Sequence, residues 1–492
     1  MNPLKKLAGQ TVIYGLSSVI GRLLNYLLVP LYTRYFLPEE YGIITELYAY
    51  VAFLVVILTY GIETAFFRYS HKVPNKKTVY STALISLLIT SILFVFIIFS
   101  SAIPIANWLE YPNHSDYIQF FALIIGLDAV SAISFAKLRE KNNAIRFALV
   151  RLVNIFINIG LNLFFIIYCP YALEKGLSSV EFINSVYSEG YGVGYIFIAN
   201  LIASAITFLM LLPEMIKSVW IFDKKLWKKM MVYAFPLLIA GLAGMTNETI
   251  DRILLKHLLP STVNSSHELG LYGAFYKLSI LMILFIQTFR FAAEPFFFAQ
   301  EKEKNSKKIY ADVMKYFVII TSLIFLLVSM FYDFIILFLG ENYHDERGFM
   351  VVSILLAANL FLGIYYNLSI WYKLSEKTKY GAYLSILGAI ITLCLNFILI
   401  PIIGFVGSAW ATLVCYFTMT VTSYILGRKY YHIPYNLQRI FLYLGITTFM
   451  YFSSTFLNSH ILDVIYIIIF VSTAFYLEKP KKDVISNPKL FD

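Results

Sequence analysis

Long runs of hydrophobic residues alternate with short polar segments from one end of the chain to the other. A helix of about 20 apolar residues crosses the roughly 30 Å of hydrocarbon in a bilayer. The runs are too long for strands, so the pattern predicts an all-α polytopic membrane protein with about 14 transmembrane helices. We place these helices at residues 9–36, 43–67, 78–105, 117–137, 146–168, 193–213, 232–258, 270–298, 310–338, 349–372, 381–401, 404–426, 438–457 and 459–477.

The composition agrees with this class. Hydrophobic residues make up 59% of the 492 and charged residues only 14%, and the mean hydropathy is +0.73. A soluble chain would carry about 25% charged residues. The composition therefore excludes a soluble globular protein.

Basic residues are concentrated in alternate loops. They include HKVPNKK (71–77), KLREK (137–141), FDKKLWKK (222–229) and EKEKNSKK (301–308), whereas an intervening loop reads PEEY (38–41). Because basic loops stay on the cytoplasmic side, both termini are expected to be cytoplasmic. This topology accounts for the net charge of +10 without nucleic acid.

A faint repeat divides the chain into two halves. KLREK (137–141) follows the fourth predicted helix and KLSEK (373–377) follows the tenth. An even number of helices per repeat makes the two halves parallel. We predict two parallel six-helix lobes and two extra C-terminal helices, with boundaries at 1–216 (first lobe), 217–230 (cytoplasmic amphipathic linker), 231–428 (second lobe) and 429–492 (last two helices and cytoplasmic tail).

Several kinds of chemistry find no support in the sequence. It contains no GxxxxGK[ST] phosphate loop. The longest predicted outer loop, 169–192, is too short for a catalytic domain. The three cysteines have no paired spacing. We therefore expect a protein that is not an enzyme, with no catalytic residue, cofactor or metal site.

Charged residues interrupt one of the apolar runs. In GMTNETIDRILLKHLLP (244–260), Glu248, Asp251 and Arg252 lie at helical spacings of three and four, which places them on one face. Each charge at the centre of a lipid-facing helix costs roughly 2.5–3.5 kcal/mol. This face is therefore expected to line a water-filled cavity, with an internal salt bridge as the alternative.

Similar polar stripes occur on other predicted helices, and their residue types suggest three roles. Guanidinium groups suit phosphate oxygens, so the expected anion-binding residues are Arg22, Arg151, Arg252 and Arg290. The expected polar lining residues are Asn25, Asn154, Asn158 and Gln287. The candidates for proton or cation coupling are Glu46, Asp128, Glu248, Asp251 and Glu294. For any one of them, helix-to-helix hydrogen bonding is the alternative.

Three stretches resemble a known family. They are GQTVIYGLSSVIGRLLNYLLVPLYTRYFLPEEYGI (9–43), YAFPLLIAGLAGMTNETIDRILL (233–255) and ELGLYGAFYKL (268–278). The chain resembles the polysaccharide exporters of the oligosaccharide-flippase (Wzx-like) branch, within the multidrug/oligosaccharidyl-lipid/polysaccharide exporter superfamily. The resemblance covers nearly all of the chain.

The resemblance implies a flippase of the bacterial inner membrane that works by alternating access. It would carry a polyprenyl-diphosphate-linked oligosaccharide from the cytoplasmic to the outer leaflet, and Arg22 and Arg252 would meet the diphosphate. The expected partners are this lipid-linked glycan, H⁺ or Na⁺, membrane lipid and polysaccharide assembly proteins, but no nucleic acid.

Three other functions remain open from the sequence. A multidrug extruder of the same superfamily would export organic cations by ion antiport, and it predicts a cavity dominated by acids. A membrane-embedded glycosyltransferase or polymerase would need a large outer loop. A scaffold for a polysaccharide assembly complex would use the buried charges only for structure.

Overall fold

Helices form all of the regular secondary structure in the described part of the chain, residues 20–177, 179–301 and 303–479 of a computed structural model. Thirteen helical segments there are long and apolar enough to cross a membrane. The first predicted helix, 9–36, lies partly outside the described residues, and its described part is helical over 20–26 and Leu28–Tyr35. The prediction of an all-α polytopic membrane protein of about 14 helices is confirmed.

We group the helices by the lobe boundaries predicted from the sequence and use those lobe names below. The first lobe contains α1 (Leu28–Tyr35), α2 (Pro38–Thr59), α3 (Ile62–Ser70), α4 (Lys76–Ser100), α5 (Ala102–Trp108), α6 (Ser115–Glu140), α7 (Ala144–Leu163), a π-helical turn (Phe164–Tyr168), α8 (Cys169–Lys175), α9 (Val180–Val186) and α10 (Gly194–Ile216). The second lobe contains α11 (Lys224–Leu258), α12 (Ser265–Leu278), α13 (Ile280–Gln300), α14 (Ser306–Met330), α15 (Tyr332–Ile335), α16 (Arg347–Leu368), α17 (Ile370–Leu374), α18 (Lys379–Ile403) and α19 (Phe405–Tyr430). The outer pair, α20 (Leu437–Leu457) and α21 (His460–Leu477), packs against α14.

Five helices begin with a side chain that caps their free backbone N–H groups. Asn75, Asn143, Asp223, Asn264 and Asn436 each accept a hydrogen bond of 3.0 to 3.3 Å from the amide three residues further along. Such a cap contributes about 1 kcal/mol. The caps fix the first residues of α4, α7, α11, α12 and α20.

The second predicted helix, 43–67, is interrupted where α2 gives way to α3. Tyr60 and Gly61 both have positive φ, at 35° and 72°, and glycine adopts such a conformation without steric cost. A Cβ on Gly61 would lie 3.1 Å from the Ala234 carbonyl oxygen, so the break packs directly against α11.

The predicted amphipathic linker, 217–230, differs from the structure. Residues 217–223 are not helical, and 224–230 are the first turns of α11 rather than a separate helix. The reason is the Asp223 cap, which starts a helix that then runs on through Pro236 into the apolar segment. Trp227 donates a hydrogen bond of 2.8 Å from Nε1 to Ser86 Oγ of the first lobe.

Backbone contacts join the two lobes at the end of the bundle that contains Pro38, His257 and Gly270, called here the closed end. A Cβ on Gly270 of α12 would lie 1.8 Å from the Pro38 carbonyl oxygen. A Cβ on Gly42 of α2 would lie 2.1 Å from the Ser266 carbonyl oxygen. The glycines therefore let α2 and α12 touch main chain to main chain.

Polar side chains add to this contact between the lobes. Nζ of Lys256 lies 3.1 Å from Oε2 of Glu110 and donates a hydrogen bond of 3.0 Å to Ser266 Oγ. Nε2 of His257 lies 3.0 Å from the Tyr50 hydroxyl, and the His257 ring stacks on Trp108. The closed end is thus sealed by charged, polar and aromatic contacts between the lobes.

Arg347 holds the loop before α16 against the second lobe at the closed end. It donates hydrogen bonds of 2.8 and 2.9 Å to the two carboxylate oxygens of Glu268. It also donates to Asp345, and these hydrogen bonds lower the pKa of the Asp345 carboxyl. The loop is therefore fixed by charge-assisted bonds, which are stronger than neutral ones.

The opposite end of the bundle contains Lys76, Lys137, Lys224 and Lys373 and is called the basic end. There the lobes meet through α11. The Tyr69 hydroxyl donates a hydrogen bond of 3.2 Å to the Lys229 carbonyl, and Arg68 lies over the Tyr233 ring at 4.2 Å.

Candidate functional site

Two cavities meet inside the bundle. The interlobe cavity has a volume of 490 Å³ and is lined by both lobes, with α1, α2, α7 and α10 on one side and α11, α12 and α13 on the other. The second-lobe cavity has a volume of 870 Å³ and is lined mainly by α11, α13, α16, α17 and α18. Four residues line both: Glu248, Tyr276, Ile283 and Gln287. The cavities are therefore adjoining compartments.

The second-lobe cavity extends to the basic end, because Lys373, Thr378 and Lys379 belong to its lining. Thr378 and Lys379 are exposed. At the closed end, by contrast, the direct contacts between α2 and α12 leave no gap between the lobes. This arrangement is accessible from the basic end and shut at the other.

The interlobe cavity carries an excess of positive charge. Among the residues that the structure describes, its charged lining residues are three cations, Arg22, Arg252 and Lys277, and one carboxylate, Glu248. Arg22 comes from the helical stretch 20–26 of the first lobe, whereas the other three come from the second lobe. Arg22 donates a hydrogen bond to Oε1 of Gln287 across the cavity. A cleft lined by positive charge between low-dielectric protein walls attracts anions.

Arg252 is held in place by its neighbours on α11 and α12. Its Nη1 atom donates a hydrogen bond of 2.8 Å to the Glu248 carbonyl oxygen and lies 3.7 Å from Oδ1 of Asp251. Its guanidinium lies over the Tyr276 ring at 4.1 Å. The predicted coupling residue Asp251 is buried and accepts a hydrogen bond of 2.5 Å from the Tyr272 hydroxyl.

Glu248 differs from Asp251 in its surroundings. Its side chain is exposed, and the carboxylate makes no hydrogen bond or ion pair with any residue the structure describes. It lies where the two cavities join. Among the predicted coupling residues, Glu248 is the one that lines both cavities.

Polar side chains of the first lobe complete the interlobe cavity. Asn25 and Asn158, two of the predicted polar lining residues, line this cavity. Asn158 accepts a hydrogen bond of 3.2 Å on Oδ1 from Asn162, which in turn accepts one of 3.0 Å from the Tyr32 hydroxyl. This network fixes the amides of α7 against α1.

Among the described residues, four cations line the second-lobe cavity, Arg68, Arg290, Lys373 and Lys379, and three of them contact a carboxylate or an aromatic ring. Nε of Arg290 lies 3.6 Å from Oε1 of Glu294, and the Arg290 guanidinium lies over the Tyr366 ring at 4.7 Å. Lys373 forms an ion pair with the same Glu294 carboxylate. Arg68 lies over the ring of Tyr233. Lys379 makes no ion pair or hydrogen bond with a described residue and lies exposed at the basic end.

Six of the predicted site residues line neither cavity: Arg151, Asn154, Glu46, Asp128, Asp251 and Glu294. Arg151 lies over the Phe135 ring at 4.3 Å, and Asn154 donates a hydrogen bond of 3.0 Å to Thr207 Oγ1. Glu46 is fully buried and accepts a hydrogen bond of 2.5 Å from the Tyr111 hydroxyl. Asn154 makes the helix-to-helix hydrogen bond that the sequence left open as the alternative, Arg151 makes a helix-to-helix cation–π contact, and Tyr111, the partner of Glu46, lies in the loop between α5 and α6.

Sequence reasoning missed three lining residues, Lys277, Tyr276 and Arg68. Lys277 makes no hydrogen bond or ion pair with a described residue, so its ammonium group is available to a ligand. A signal for it was present, because Lys277 lies inside the predicted helix 270–298 and a charge there is costly in lipid. Nothing in the sequence distinguishes Tyr276 from the other 37 tyrosines.

Comparison with known proteins agrees with this architecture. A family model described as polysaccharide biosynthesis protein matches residues 7–298. No curated protein sequence matches the chain.

Several solved structures share the fold at low sequence identity. The lipid II flippase MurJ in an inward closed conformation has a TM-score of 0.71 at 15% identity, covering 94% of this chain and 99% of that chain. An inward-facing multidrug resistance MATE family transporter of the MOP superfamily has a TM-score of 0.63 at 14% identity, covering 88% and 96%. A MOP superfamily transporter from Pyrococcus furiosus Vc1 has a TM-score of 0.54 at 13% identity, covering 86% and 94%.

Proposed function

The chain belongs to the polysaccharide biosynthesis protein family and is a multi-pass membrane protein with the fold of MOP superfamily transporters, and from this premise we propose that it is a flippase for a polyprenyl-diphosphate-linked oligosaccharide. The observation that carries the proposal is the interlobe cavity, where cations from both lobes converge. The protein would move this lipid without changing its covalent bonds.

The diphosphate is the part of the substrate that fits the interlobe cavity. Guanidinium groups form paired hydrogen bonds with phosphate oxygens, and Arg22 and Arg252 supply one such group from each lobe. Lys277 adds a third cation without a partner of its own. An organic cation would be repelled by this set of charges, which disfavours the multidrug extruder.

The contrast between the two ends of the bundle supports transport by alternating access. By the positive-inside rule the basic end faces the cytoplasm. The lipid-linked oligosaccharide would then enter from the cytoplasmic side, where the cavities are accessible, and leave after the closed end opens. The contacts of Lys256 with Glu110 and of His257 with Tyr50 are the ones that must break.

Ion coupling is assigned to Glu248. Its carboxylate lies beside the proposed diphosphate site and would repel the substrate while it is ionised and free. A proton or a sodium ion bound to Glu248 removes that repulsion, so ion binding and substrate binding favour each other. This linkage is reciprocal by thermodynamic necessity.

The test uses purified protein in sealed vesicles that contain a polyprenyl-diphosphate oligosaccharide. The rate at which the sugar becomes accessible to an external lectin is measured with and without an imposed ion gradient. We expect faster exposure than in protein-free vesicles. No acceleration, together with gradient-driven uptake of a lipophilic cation, would overturn the proposal and assign the protein to the multidrug extruders.

A further inference from the structure

The second-lobe cavity has a lining unlike that of the interlobe cavity. Six tyrosines contribute to it: Tyr233, Tyr276, Tyr365, Tyr366, Tyr372 and Tyr416. Its volume of 870 Å³ is near the upper end of the roughly 300–1,000 Å³ typical of small-molecule sites. The cavity is therefore large enough for a ligand of several rings.

The charges of this cavity do not favour an anion. Arg290 and Lys373 share the Glu294 carboxylate, and Arg68 and Arg290 each lie over a tyrosine ring. Because these three cations already have partners, a phosphate bound to them would have to replace existing contacts, and the fourth cation, Lys379, lies exposed at the basic end. The interlobe cavity, with its unpaired Lys277, is the better phosphate site.

Free hydrogen-bonding groups are nevertheless present. The hydroxyls of Tyr233 and Tyr366 make no hydrogen bond with a described residue, and both side chains are only partly buried. A tyrosine offers an apolar ring face together with a polar hydroxyl. A sugar has the matching features, since its C–H face packs on a ring and its hydroxyls exchange hydrogen bonds.

We propose that the second-lobe cavity is the glycan compartment of the transporter and that it takes an uncharged oligosaccharide while the diphosphate stays in the interlobe cavity. The two compartments meet at Glu248, Tyr276, Ile283 and Gln287, so one molecule extends through both. This inference rests on the proposed flippase function and adds to it the class of glycan and the place where the glycan binds.

Gly244 provides a direct test of the compartment. It lines the second-lobe cavity on α11, and a Cβ added to it would meet nothing within 4 Å. Gly244→Trp therefore fills the cavity without displacing protein atoms near the backbone. Gly445 is the matched control, because an added Cβ there also meets nothing within 4 Å. It lies exposed on α20 and lines neither cavity.

The vesicle assay is run with two probes, a polyprenyl diphosphate carrying one neutral hexose and the same lipid carrying a neutral tetrasaccharide. We expect the wild type and Gly445→Trp to move both. Gly244→Trp should slow the tetrasaccharide lipid at least tenfold more than it slows the hexose lipid. Equal effects on the two lipids, or no effect on either, would overturn the glycan compartment.

Tyr366→Leu is the second variant and covers the case in which Gly244→Trp does not fold. It removes one ring and one free hydroxyl, so the KM for the tetrasaccharide lipid should rise several-fold more than the KM for the hexose lipid. An unchanged ratio of the two KM values contradicts the inference. If the wild type moves neither lipid, the flippase function itself has failed, which is a different result.

Discussion

Oε1 of Glu39 in α2 lies 2.9 Å from Nδ1 of His267 in α12, and this contact joins the two lobes at the closed end. It involves side chains that are partly exposed, so substitutions there leave the buried packing intact. The pair therefore reports whether the closed end is shut without altering the cavities.

Cysteines in place of these two residues should form a disulfide that arrests transport. With Glu39→Cys and His267→Cys in a background in which exposed Cys394 is serine, oxidation should stop flipping and a reductant should restore it. The reason is that a disulfide holds the lobes together at the end that must open. Transport is measured in vesicles by lectin access.

The control pair for that experiment lies within one lobe. Nζ of Lys76 in α4 lies 2.6 Å from Oε1 of Glu140 in α6, and both helices belong to the first lobe. A Lys76→Cys, Glu140→Cys disulfide should leave transport unchanged. Full transport by the oxidised Glu39→Cys, His267→Cys protein would contradict movement at the closed end.

Gly270→Val should weaken the closed end. Its new side chain would meet the Pro38 backbone, which cannot move aside as a flexible side chain would. In the Glu39→Cys, His267→Cys background we expect the yield of cross-linked protein to fall several-fold. Gly445→Val, which adds the same atoms on α20, should leave the yield unaltered, and an equal fall in both variants would point to general destabilisation.

Replacing the guanidinium groups of the interlobe cavity should weaken substrate binding. A hydrogen bond to a charged group contributes about 1.5–3 kcal/mol, so Arg22→Gln and Arg252→Gln should each lower affinity roughly ten- to hundredfold. The double variant should lose transport while staying folded. Affinity is measured by competition with a short-chain polyprenyl diphosphate.

Arg151→Gln is the matched control for these substitutions. Arg151 is also an intramembrane arginine, but it lies over Phe135 and lines neither cavity. Its replacement should affect stability more than affinity. A folded double variant of Arg22 and Arg252 with normal transport would refute the diphosphate site.

Glu248→Gln should uncouple transport from the ion gradient. A neutral amide carries no charge to be cancelled, so flipping should continue but should no longer respond to an imposed H⁺ or Na⁺ gradient. Glu294→Gln is the comparison, because that carboxylate is already paired with Lys373 and Arg290. If Glu248→Gln keeps the full gradient response, the coupling ion binds elsewhere.

The sequence predicts the spans well because a bilayer imposes a minimum apolar length on every crossing helix. It does not predict where a helix is interrupted. The break at Tyr60 and Gly61 and the one at Ser279 depend on packing against neighbouring helices rather than on hydropathy. The start of α11 at Lys224 likewise depends on the Asp223 cap, a local hydrogen bond that hydropathy does not record.

The site is predictable in part for a related reason. Helical spacing shows that polar residues share a face, and Arg22 and Arg252 do line one cavity. Helical spacing does not show whether that face contacts a cavity or the side chains of another helix. Arg151 is also an arginine on a polar stripe, yet it lies over the Phe135 ring. Lys277 lines the interlobe cavity although it belongs to no predicted stripe.

One helix ties the two ends of the bundle together. α11 has 35 residues, so at 1.5 Å per residue it is about 52 Å long. α11 contacts the first lobe through Trp227 near one end and through His257 near the other. Between them, Gly61 packs against the α11 backbone at Ala234. Measured from Ala234, the helix extends about 10 Å to Trp227 and about 35 Å to His257, and Pro236, which lacks a backbone N–H, lies beside this contact. If α11 turns about this point when the lobes move, we expect a displacement at His257 about three times larger than at Trp227 and opposite in direction.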